Sequence, residues 1–200
     1  MDTSTRPLRD AAELRQVLAL VLDRLGRTPG EGEYRLVGTA AALLQGVPLL
    51  AGDIDLLFAD RADVDRFGNA LSSFPCLHRP SWLPEARQYF AEYVVEGIGV
   101  SASTVEQSTD IDTHECVGTG PWHHYTLIGC DRHVVPTVTL ELRLLSELTR
   151  NRSDQTRGLS EHLRRRGCDL ALVERGLLDR NLPAAQRQAI LERLADTRPR

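Results

Sequence analysis

Apolar residues recur at helical spacing through the first segment of the chain. Leu14, Val17, Leu18, Val21, Leu22 and Leu25 share one face, with Asp and Arg between them, which predicts a helix over 9–26 closed by Gly26. Pro29-Gly30 reads as the turn after it. The period then shortens. Tyr34 to Val37 is a brief apolar run read as a strand, and Thr39 to Gln45 is a small helix of mostly Ala and Leu capped by Gly46. Asp53 to Phe58 is a second apolar run, read as a buried strand. Residues 60–73 return to helical spacing, with Val64, Phe67, Ala70 and Leu71 inside and Asp60 or Asp63 as the cap.

Downstream the pattern weakens and recovers. Phe74 to Pro84 holds three prolines and reads as a loop. Tyr89 to Val95 and Ile98 to Ser103 read as two strands of a hairpin turning near Gly97. Residues 104–120 are polar and irregular, with acidic Glu106, Asp110, Asp112 and Glu115. Tyr125 to Gly129 and His133 to Val138 read as strands about an Asp131-Arg132 turn, the second broken at Pro136. Four helical patterns follow: 139–150, 154–166, 169–178 and 183–195, the last capped by Asn181, and the tail from Asp196 is expected to fray. The expected organisation is a mixed α/β core over 1–138 and a helical part over 139–200.

Composition narrows the function classes. The 200 residues fit one domain, or one domain with a small appendage. A net charge of -4 argues against a dedicated nucleic-acid binder while leaving room for a local basic patch. No apolar run approaches a membrane span, and the polar N-terminus lacks a signal-peptide core, so the cytoplasm is the expected location. The four cysteines are scattered and expected as free thiols. His114-Glu-Cys116 and His123-His124 raise the thought of zinc, but no metal-type spacing joins them. The run Arg164-Arg165-Arg166 reads as a solvated helix face that could also take phosphate or RNA.

The informative chemistry lies in 34–60. Asp53 and Asp55 alternate on one strand and so share a side. Two carboxylates side by side suit Mg²⁺, which takes one or two carboxylates together with phosphate and water oxygens. Gly38-Thr39 stands where a strand turns into a helix. Its free backbone N–H groups and the Thr39 hydroxyl can hold phosphates, and Gly38 allows their close approach.

These residues resemble the pattern of the polymerase-β-type nucleotidyltransferase superfamily: a hydrophobic residue, Gly, then Gly or Ser, a spacer, and Asp-hydrophobic-Asp/Glu-hydrophobic. Here they are Val37-Gly38-Thr39 and Asp53-Ile54-Asp55-Leu56. More narrowly, Gly38, Ala40, Leu43, Gly46 and Asp-Ile-Asp-Leu resemble the small bacterial nucleotidyltransferase-like proteins, among them toxins of toxin–antitoxin pairs and antibiotic nucleotidyltransferases. Arg150-Asn-Arg152-Ser-Asp154 resembles, more weakly, a basic segment after the sheet. The resemblance implies an α/β nucleotidyltransferase fold: a mixed sheet flanked by helices with a C-terminal helical part. It also implies Mg²⁺ at Asp53 and Asp55, phosphates at Gly38 and Thr39, and Arg152 against the leaving pyrophosphate. The implied activity moves a nucleoside monophosphate from a nucleoside triphosphate to a hydroxyl of a small molecule, a tRNA end or a protein, with an antitoxin as a further partner.

Two departures bear on that expectation. Thr39 replaces Ser or Gly and keeps a hydroxyl. Ser101 stands where the superfamily carries a third carboxylate, a position at which a hydroxyl is a poor base. Either Glu92 or Glu96 takes the role, with Glu96 placed in the candidate catalytic set beside Asp53 and Asp55. Otherwise two carboxylates suffice, or the chain is a degenerate member that binds a nucleotide or a partner without catalysis.

Overall fold

The computed structural model describes residues 3–26, 33–107 and 113–196. The turn expected at Pro29-Gly30, the acidic positions Asp110 and Asp112, and the tail beyond Asp196 lie outside the described residues. Helix α1 (Ala11–Leu25) starts under the Asp10 carboxylate, which accepts from the N–H groups of Ala12 and Glu13, and ends at left-handed Gly26. Strand β1 (Tyr34–Val37), helix α2 (Gly38–Leu44) and strand β2 (Asp53–Phe58) follow. Asp60 caps helix α3 (Arg61–Ala70) through the N–H of Asp63. Strands β3 (Cys76–Leu83), β4 (Gln88–Val95) and β5 (Ile98–Val105) come next, then the single turn α4 (Gly120–His123) and strands β6 (Tyr125–Cys130) and β7 (His133–Val138). Helices α5 (Leu140–Thr149), α6 (Ser153–Arg166), α7 (Leu170–Asp179) and α8 (Ala184–Ala195) close the described chain.

Seven strands form one mixed sheet in the order β3-β4-β5-β2-β1-β7-β6. β2 runs antiparallel to β1 and parallel to β5, and β7 runs parallel to β1. Alternation along β2 sends Ile54, Leu56 and Phe58 to one face, where Phe58 meets Phe67 of α3 at 6.1 Å between ring centres. Asp53 and Asp55 therefore face the other way. α1 and α3 pack on the first face. The C-terminal helices build a second apolar cluster around Leu144, Leu145, Leu159, Val173 and Leu177, joined to α2 through Ala42 and to the loop after it through Val47.

Three local expectations change. The stretch from Cys76 to Leu83 is an edge strand and not a loop. Its register shifts around His78 and Ser81, an irregularity that lets Pro80 sit in a strand with one neighbour. β7 passes through Pro136 unbroken, paired with Leu127. The last helix starts after Pro183, while Asn181 takes a left-handed backbone in the preceding turn. No described helix is long and apolar enough to cross a membrane.

One buried residue of β1 holds the segment that leads into β6. Arg35, buried in an otherwise apolar strand, stacks 3.8 Å over the Tyr125 ring and donates to the carbonyls of Pro121 and Trp122. This anchors residues 121–125 over the sheet.

Candidate functional site

The site is built where β1 turns into α2 beside the start of β2. Val37 pairs with Asp55 across the two strands, and the chain then turns at Gly38 with φ +72°. A Cβ at Gly38 would lie 2.6 Å from Asp55 Oδ2. Glycine is thus required twice, by the left-handed backbone and by the carboxylate seated against it. Thr39 follows, half-buried, with a hydroxyl that makes no hydrogen bond among the described residues.

Asp53 is exposed and Asp55 half-buried, on either side of fully buried Ile54. β5 sets Ser101 directly opposite Asp55, and the Ser101 hydroxyl donates to Asp55 Oδ1 at 2.8 Å. The position facing the pair from the next strand therefore carries a hydroxyl. β4 continues the row with Glu92 opposite Ser101. Gly99 clears the space between: the point its Cβ would take lies 3.2 Å from Glu92 Oε1 and 3.8 Å from Asp53 Cβ. Glu92 and Asp53 thus converge over a glycine.

Glu96 is not brought to this face. It forms the β4–β5 turn with Gly97, at φ +53° and +78°, and its carbonyl accepts from Arg6. A two-residue turn with both backbones left-handed fixes the pairing Val95↔Ile98 and so Glu92↔Ser101. The carboxylate that the hairpin delivers to the aspartates is Glu92.

A buried ionic network lies behind the pair. Glu115 accepts from the Gly38 N–H at 3.2 Å through Oε2, and its other oxygen contacts Arg143. Arg143 also contacts Glu147, one helical turn along α5. All three are at most 1% exposed. One N–H expected to hold phosphate is therefore already engaged by the protein's own carboxylate. Arg152, half-exposed just before α6, reaches to 3.9 Å from Glu147 Oε1.

Electrostatics follow from this layout. Burial, the Asp53 charge and the Glu115 charge push Asp55 up to about 7, against the Ser101 hydrogen bond and Arg143. Asp53 is raised by burial, with Arg143, Arg150 and Arg152 opposing. Glu92 is raised by burial and by Asp53, with His78 opposing. Asp53, Asp55 and Glu115 thus crowd negative charge beside the Gly38 turn, with Asp53 open to solvent.

This donor set fits a divalent cation shared with ligand oxygens. Among the described residues no group of three or more His, Cys, Asp or Glu side chains is placed to hold a metal ion, so the protein offers two carboxylates and not a closed cage. Two of the residues considered for zinc have other surroundings. His114 Nε2 accepts from Arg180 Nε at 2.8 Å, and burial pushes the Cys116 thiol up to about 12. Sequence reading gave no role to Glu115 or Arg143, and took Arg150 only as part of the basic segment with Arg152. The signal available for Arg143 was a cation amid the leucines of α5, four residues before Glu147. Nothing local marked Glu115.

No family model matches the sequence, and no curated protein does. Solved structures do. A proposed nucleotidyltransferase from Thermotoga maritima superposes with a TM-score of 0.52 at 19% identity, covering 74% of this chain and 91% of that one. An antigenic nucleotidyltransferase-like protein from Paracoccidioides brasiliensis gives a TM-score of 0.49 at 14% identity, over 93% and 94%. The first likeness shows that the chain adopts the nucleotidyltransferase fold, with a mixed sheet flanked by helices.

Proposed function

We propose that the chain transfers a nucleoside monophosphate from a nucleoside triphosphate to the hydroxyl of a small molecule, a tRNA end or a protein. The observation that carries this reading is Asp55 seated against Gly38, with Asp53 exposed on the same face. Mg²⁺ held by these two carboxylates would supply charge neutralisation at the triphosphate. Thr39 donates its hydroxyl to the phosphate tail. Gly38 keeps the turn open to it, its own N–H remaining with Glu115. Arg152 and Arg150 offset the charge that moves onto the leaving pyrophosphate. Glu92 Oε1 takes the proton of the acceptor hydroxyl as that oxygen bonds to the α-phosphorus. The bond from that phosphorus to the bridging oxygen breaks, and pyrophosphate leaves.

A second reading, a nucleotide- or partner-binding module without transfer, is favoured by Ser101 opposite Asp55 and by Glu115 on the Gly38 N–H. One experiment separates them. The protein is incubated with each α-labelled nucleoside triphosphate and Mg²⁺, with and without cell extract, beside the Asp53→Asn/Asp55→Asn variant. A labelled product that the variant fails to make supports transfer. Mg²⁺-dependent nucleotide binding by calorimetry with no labelled product supports the module. Binding unchanged in the variant overturns both.

A further inference from the structure

A second cleft opens between α6 and α8, with a volume of about 500 Å³. Ser153, Thr156, Arg157, Ser160, Glu161 and Arg164 line one wall at helical spacing, and Arg193 of α8 faces them. From Ser153 to Arg164 the wall runs about 16 Å along the helix axis. Its chemistry is uniform: three guanidinium groups and three hydroxyls against the single carboxylate of Glu161. None of the hydroxyls of Ser153, Thr156 and Ser160 has a hydrogen-bond partner among the described residues, although Ser160 is only 8% exposed. Asp154, 85% exposed, pairs with Arg157 at 2.8 Å, a surface contact that a phosphate would have to displace or share. Arg164 is fixed at the cleft by donating Nε to the Asp196 carbonyl at 2.5 Å. No aromatic side chain lines the wall, so nothing there stacks on a base or a ring.

Arginine forks and hydroxyls match phosphate oxygens, and the three hydroxyls are without acceptors of their own among the described residues. We propose that the α6–α8 cleft is a binding site for phosphate groups, occupied by the phosphates of a short nucleic-acid strand or of a small phosphate ester. Ser153, at one end of this wall, follows Arg152 in sequence, whose charge acts on Asp53. Recognition through phosphate alone makes binding insensitive to base sequence.

The test uses a fluorescein-labelled RNA decamer, followed by anisotropy at low salt, with inorganic pyrophosphate as competitor. Arg157→Ala/Arg193→Ala should weaken decamer binding about tenfold or more, two charge-assisted contacts being lost, and flatten the salt dependence. Arg193→Glu alone should weaken it as well. Both positions are exposed, and unchanged thermal unfolding confirms an intact fold. Asp53→Asn/Asp55→Asn should bind the decamer as the wild type does, which separates this site from the nucleotide site. Displacement by equimolar pyrophosphate assigns the cleft to small phosphate esters, and resistance to it assigns the cleft to a strand. Absence of saturable binding by either probe, equal affinity in the arginine variants, or loss of binding in the aspartate variant overturns the proposal.

Discussion

Asp55 Oδ2 lies 2.6 Å from the point that a Cβ on Gly38 would occupy. Gly38→Ala therefore meets two costs. The left-handed backbone alone is worth about 1–2 kcal/mol for a residue with a Cβ, and the methyl displaces the Asp55 carboxylate as well. The melting temperature should fall by about 5 °C or more, with Mg²⁺-dependent nucleotide binding lost by calorimetry. Adding Asp55→Ala removes the steric part, so the double variant should lose less than the sum of the singles. Additive losses would show that the two groups do not touch.

Asp55 sets a pH dependence whose sign is fixed. Its folded value, raised to about 7, stands well above the usual range for an unfolded aspartate. Between the two values the folded chain binds a proton that the unfolded chain does not, so this group's contribution to stability falls as pH rises through that window. Asp55→Asn removes the effect and keeps an oxygen for Ser101. The variant should melt about 5 °C above the wild type at pH 8, converging with it towards pH 4. A gain that grows on acidification would contradict the assignment. Mg²⁺ should stabilise the wild type at pH 8 and leave the variant unmoved.

What could be read from the chain divides along the reach of each interaction. Gly38, Asp53 and Asp55 were legible because a turn glycine and a period of two are local patterns. The β4–β5 hairpin was legible for the same reason, and it held the means to choose Glu92: a turn at Glu96-Gly97 makes Ser101 face Glu92. β3 was hidden because three prolines outweigh strand propensity until a neighbour supplies the hydrogen bonds. Glu115 was hidden because its contacts with Gly38 and Arg143 span 77 and 28 residues.

Arg143 is the cation on which two buried carboxylates depend. Arg143→Met takes the buried guanidinium from both, leaving Glu115 the Gly38 N–H and Glu147 the Arg152 guanidinium at 3.9 Å, at a cost of about 3–5 kcal/mol, read as a lower urea midpoint. Adding Glu115→Gln and Glu147→Gln should restore much of the loss, because neutral amides are cheaper to bury than lone charges. Without such recovery, packing of the Arg143 stem and not its charge holds α5 in place.

Glu92 and Glu96 offer the sharpest test of the transfer reading, since the hairpin separates two similar residues by position alone. Glu92 shares the aspartate face over Gly99, whereas Glu96 lines a depression with Ser4, Thr5 and Arg6 that holds neither aspartate. Glu92→Gln keeps the shape and removes the proton acceptor, so product formation should slow about 100-fold or more with nucleotide affinity little changed. Glu96→Gln should leave both rate and affinity near wild type. If the two variants slow equally, or if Glu92→Gln turns over normally, then the acceptor proton goes elsewhere. In that case Asp53 and Asp55 act with solvent alone.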